Sequence, residues 1–84
     1  MLFCWDYDEQ GNVEHIAENG LTTDDVEYAF EHATEHVTSR SSGRPALYGL
    51  TPDDRTIFVS YECDIEDGEE IILVVTAYSI GDDQ

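Results

Sequence analysis

The apolar residues of this chain change period at Thr34, and that change limits what it can fold into. Upstream, Val26, Ala29, Phe30 and Ala33 recur at i, i+3, i+4 and i+7, which predicts one buried face of a helix. Glu27, Glu31 and Glu35 fall on its opposite side, and Thr22 with Asp25 offers a capping box at its start. Downstream the period is two: Ile57, Val59, Tyr61 and Cys63 share one face, Thr56, Ser60 and Glu62 the other, with Phe58 the exception. Ile71 to Tyr78 is almost continuously apolar and predicts a central strand covered on both sides. Helical pattern first and strand pattern afterwards means an α+β fold.

The remaining segments complete the order. Met1 to Trp5 reads as a first strand, and Gln10 to Glu18 as a short helix capped by Asn12 and ended by Asn19-Gly20. Val37 to Arg40 reads as a short edge strand, Ser41-Ser42-Gly43 as a turn, and Arg44 to Thr51 as another strand. Thr51-Pro52-Asp53-Asp54 presets a reversal, and Asp64 to Glu70 reads as a charged loop turning at Gly68. The expected architecture is β-α-α-β-β-β-β, with two N-terminal helices on one face of a mostly antiparallel, four- to five-stranded sheet. Residues 1–80 form one domain, and 81–84 a disordered tail. At 84 residues the chain buries only about 60–65% of its unfolded surface, so its few apolar runs must supply the whole core.

Charge narrows the function. Twenty Asp and Glu stand against three cations, a formal net charge of -17. There is no lysine, and Arg40, Arg44 and Arg55 crowd into one short window. Such a surface repels phosphate, so polyanion binding would have to use that window. The acidity fits adaptation to a salty cytoplasm or docking on a basic partner, and the absence of lysine throughout favours the former. No run is long enough to span a membrane and the N-terminus has no basic leader, so a cytoplasmic protein is expected. Cys4 and Cys63 lie in apolar runs and read as reduced core thiols, although a disulfide between them stays open.

Four constellations carry chemistry. His32-Ala33-Thr34-Glu35-His36 has the H-x-x-E-H spacing of a zinc peptidase helix, but it straddles the predicted helix end and is better read as histidines closing a helix. Asp6-x-Asp8-x-Gln10-Gly11 resembles the start of a calcium loop, yet Ala17 stands where the bidentate Glu belongs. No cofactor and no metal are therefore expected. Tyr48, Tyr61 and Tyr78 are either core or a stacking surface. Arg40 and Arg44, with Ser41 between them, can form a guanidinium and hydroxyl set for phosphate, with His32 or His36 as proton shuttle. The competing reading is that the arginines neutralise carboxylates such as Asp53 and Asp54.

The order of motifs resembles the BrnT-like toxins of bacterial type II toxin–antitoxin systems, and most of all small planctomycete-type members. The residues that carry it are Phe3-x-Trp5-Asp6, Asn12-x-x-His15-Ile16-Ala17-x-x-Gly20-Leu21-Thr22, Arg44, Gly49-Leu50-Thr51, Arg55, Ile57-Phe58-Val59-Ser60-Tyr61 and Val75-Thr76-Ala77. The resemblance implies a RelE-like fold, endoribonuclease activity and neutralisation by an antitoxin. It gives Arg44 and Arg55 RNA-contact roles. Three features depart from the pattern: Tyr78 stands where the family's late strand has an arginine, Glu18-Asn19 replaces Lys-His, and no basic helix follows Tyr78. The combined expectation is a degenerate, non-catalytic family member that binds an antitoxin or another basic protein. The alternative is a ribonuclease using Arg44, Arg55, His36 and His32, with Arg40, Ser41 and Tyr78 binding RNA.

Overall fold

Thr22 begins the best-defined helix by exchanging hydrogen bonds with Asp25: the Thr22 side chain accepts from Asp25 N at 3.1 Å, and Thr22 N donates to Asp25 Oδ2 at 3.0 Å. A cap of this kind contributes about 1 kcal/mol. In the computed structural model, which describes residues 1–40 and 43–80, that helix is α2, Thr23–Glu31. It follows β1 (Leu2–Phe3) and α1 (Asn12–Ala17), and precedes β2 (Ala33–Thr38), β3 (Pro45–Leu50), β4 (Thr56–Glu66) and β5 (Glu69–Ser79). Among the described residues the fold is α+β, with two helices and a five-stranded mixed sheet in the order β1-β5-β4-β3-β2. All pairings are antiparallel except β1 with β5.

Several boundaries differ from the sequence expectation. α2 stops at Glu31, so Ala33 opens a strand, where it pairs with Gly49 and still packs on the core. Asn12 does not cap α1, whose N-cap is Gly11. Its side chain donates instead to Cys4 O and Val74 O, and that of Asn19 donates to Ala77 O. Both amides thus satisfy carbonyls on the stretch of β5 that β1 is too short to cover. The expected Asp64–Glu70 loop is instead the end of a long hairpin, turned by Asp67 and Gly68 at positive φ. β5 lies next to an edge, and β4 takes the central place. The expected turn residues Ser41 and Ser42, and the tail at 81–84, lie outside the described residues.

The core lies between the helices and one face of the sheet. Ile16, Val26 and Ala29 from the helices meet Leu47, Ile57, Val59, Ile72, Val74 and Ala77 from the strands. Each large aliphatic side chain so buried contributes about 1.5–3 kcal/mol. Phe3 stands edge-on to Phe30, and Phe30 to Tyr61, extending the core toward Trp5, whose indole N–H donates to Glu27 at 2.7 Å. No helix among the described residues is long and apolar enough to cross a membrane.

The tightest helix–sheet contact is backbone on backbone. A Cβ placed on Gly49 would fall on the Ala29 carbonyl oxygen, inside any allowed distance. Gly49→Ala must therefore lift α2 off β3, and overpacking of this kind costs about 1–3 kcal/mol. A denaturant titration should show that loss, and an unchanged midpoint would mean that the helix is not seated as described.

Candidate functional site

The sheet face away from the helices carries apolar side chains of graded exposure: Ala46 is buried, Tyr48 and Phe58 are half-buried, and Tyr78 is exposed. Tyr48, Phe58 and Tyr78 are directly opposite one another across β3, β4 and β5. Their rings form a row, with centroids 5.3 Å apart for Tyr48–Phe58 and 5.2 Å for Phe58–Tyr78. Tyr78 reaches this face because the β4–β5 register slips at Ser60/Tyr61, so Val75 is skipped in the pairing. Ile72 and Val74 point to the core before the slip and Ala77 after it, and Thr76 and Tyr78 turn outward. The near-continuous apolar run thus serves two faces of one strand, and the expectation that both are covered is not met.

Sequence reasoning chose two of the three rings. Tyr61, the third residue expected, faces the helices against Phe30. Phe58, the exception to the alternation, takes its place. The row borders a groove of about 610 Å³, closed at its other side by Val37, Arg40 and Arg44.

The three arginines do not converge. Arg40 and Arg44 line the groove, and Arg44 Nε is 3.0 Å from Glu62 Oε2 in an exposed ion pair. Arg40 makes no ion pair among the described residues. Arg55 lies before the first residue of β4, at the opposite end of that strand. There its Nε meets Asp53 Oδ2 at 3.0 Å, its NH2 meets Asp25 Oδ2 at 3.4 Å, and it approaches Gly20 O. This makes Arg55 a clip between the turn after β3 and the N-terminus of α2.

The histidines are also elsewhere. His32 is the C-cap of α2, stacked on Tyr28 with centroids 4.1 Å apart. His36 is paired with the core residue Leu47, so it stands on the helix side of the edge strand, one position out of phase with Val37 in the groove. The two imidazoles are split between a helix end and a strand, which removes the helical zinc spacing. Among the described residues no group of three or more His, Cys, Asp or Glu is placed to hold a metal. The expected calcium-like loop is a closed turn, with Asp8 N donating to Asp6 Oδ1 and Asp6 N to Asn12 Oδ1. His15, not expected at any site, lies 3.4 Å from the Thr76 hydroxyl at the β5 edge.

A second groove, of about 570 Å³, continues past Arg44 along the hairpin. Glu62, Asp64 and Glu66 of β4 line it beside Ile71 and Leu73 of β5. Both cysteines are free, as expected, but they are exposed and not in the core. Partial desolvation and the neighbouring Glu70 carboxylate raise the Cys63 thiol above its ordinary value. Comparison with protein-family models, curated proteins and solved structures gives no match to this chain.

Asp53 has a lowered pKa. The Thr51 hydroxyl is the largest cause and Arg55 the next. A depressed pKa means stability that is present above the unfolded value and lost as pH falls through the folded one. Acid titration of the wild type should therefore show a destabilising limb below about pH 4 that Asp53→Asn makes shallower. Identical limbs by circular dichroism would show that the Thr51–Asp53–Arg55 clip does not act on the folded state.

Proposed function

We propose that this chain is a BrnT-like domain on a RelE-like scaffold that acts in the cytoplasm by binding a basic protein, an antitoxin or another, and does not cleave RNA. The observation that carries this reading is the separation of the expected catalytic set. His32, His36 and Arg55 lie away from the groove that Arg40, Arg44 and Tyr78 share. Ribonuclease chemistry needs a group to take the proton of a ribose hydroxyl within hydrogen-bond reach of a cation that holds the phosphate. Among the described residues the groove is lined by hydroxyls, aromatic rings, two valines and guanidinium groups, with no imidazole or carboxylate on that lining.

Electrostatics supports the same side. At -17 the domain repels RNA over most of its surface, and Arg44 already has Glu62 as a partner. That charge attracts a basic protein instead, and steers its approach at low salt. The order strand, helix, helix, then four strands supports the RelE-like scaffold, and the aromatic row on the sheet face away from the helices supports a binding role.

A ribonuclease reading keeps one observation in its favour, the shared placement of Arg40, Arg44 and Tyr78 on one groove. Expression in a bacterial host without any partner separates the two. Protein binding predicts normal growth and intact RNA after incubation with the purified chain. Growth arrest that Arg44→Ala relieves, together with RNA cleavage in vitro, would establish the ribonuclease instead.

A further inference from the structure

β4 and β5 each run for 11 residues, whereas β3 has 6. The β3–β4 ladder therefore ends at Ala46–Ser60, while the β4–β5 ladder continues to Glu66–Glu69. Along Glu62 to Glu66, β4 has β5 on one side and no strand among the described residues on the other. The Ile65 amide there takes the Asp64 carboxylate at 3.0 Å, a local acceptor standing in for a neighbouring strand's carbonyl. Glu62, Asp64 and Glu66 project from this edge toward the second groove, beside Leu73, which is 39% exposed. On the opposite face of the same edge Ile65 is 63% exposed.

We infer that the edge of β4 from Glu62 to Glu66 accepts an extended cationic segment of a partner protein as an added strand. In register, lysines or arginines of that segment lie opposite Asp64 and Glu66, beyond Glu62, which Arg44 already holds, and its alternate apolar residues lie opposite Cys63 and Ile65. This rests on the protein-binding reading above and names the chemistry of the partner. The same carboxylates oppose a second copy of this chain, because edge-to-edge pairing would set acid against acid. Among the described residues the sheet's other edges are less suited: β2 is interrupted by a register shift between Ala33 and Glu35, β1 has two residues, and the β5 stretch beyond it has its Val74 and Ala77 carbonyls taken by Asn12 and Asn19.

The test uses the full chain and three synthetic probes: a peptide alternating lysine and valine, the same peptide N-methylated at alternate residues, and an oligolysine of equal charge. Backbone amide NMR with hydrogen exchange is the readout. Strand addition predicts shifts and slowed exchange at Cys63 to Glu66, and binding at least about tenfold tighter for the unmethylated peptide than for either control. Asp64→Lys should weaken that binding by a similar factor while leaving the spectrum of the folded domain in place.

Equal binding of all three probes, or shifts centred on α2, the β2 edge or the aromatic row, would overturn strand addition and leave the basic-partner reading standing. No response to any cationic probe would sink both.

Discussion

The fold depends on α2 lying directly on the backbone of β3. Ala29 and Gly49 meet without a side chain between them, Ala33 pairs with Gly49, and Leu50 N reaches the His32 carbonyl at the helix end. The helix is thus clamped to the strand both by its face and by the segment that leaves it. Arg55 ties its other end to Asp25 and to the Asp53 turn. Once α2 is fixed this way, α1 covers the neighbouring part of β5, and both helices occupy the same side. The opposite face of the sheet receives no helix among the described residues and keeps Tyr48 and Phe58 half-buried and Tyr78 exposed, and the candidate site follows from that.

Much of this arrangement was legible in the sequence, and the parts that were not have identifiable causes. The Thr22–Asp25 cap, the Val26 and Ala29 face and the Ile57–Val59 alternation are local signals, each satisfied by near neighbours. The end of α2 was misplaced because Ala33 fits a helical stripe and a strand equally well, and only its pairing with Gly49 decides. The skipped Val75 has no local signature, since a bulge in an all-apolar run changes no residue type. It is nonetheless what turns Tyr78 outward and completes the aromatic row. Phe58 was visible only as a break in alternation. That break marked a position on the face away from the helices, not a fault in the strand.

The arginine window shows why adjacency in sequence is weak evidence for a site. Arg40 and Arg44 flank one turn and share a groove, but Arg55 is a strand's length from them and is held by two carboxylates. In a chain with twenty acids, Arg44 and Arg55 each meet a carboxylate where they emerge. Exposed pairs of this kind contribute about 0–1 kcal/mol each, so they position loops more than they stabilise the fold. Arg44 is the exception in consequence: by meeting Glu62 it marks where the aromatic groove passes into the acidic one.

Beyond that point the hairpin adds core through Ile72 of β5, whereas β4 adds length alone. Past Tyr61 the β4 residues are exposed on both faces, and their carboxylates crowd one side of the edge. Packing explains β5 as far as Ile71 and Ile72, where β1 pairs with it, but not the β4 stretch opposite, since Ile65 is 63% exposed and like charges two residues apart repel. A tight Asp67-Gly68 turn keeps the pair in register all the same. Repulsion among Glu62, Asp64 and Glu66 falls when cations lie between them, and the exposed aliphatics lose their hydration when covered. Both changes act in the same direction when one cationic, alternating strand is added, which is why the extension is better explained by an occupant than by the stability of the free domain.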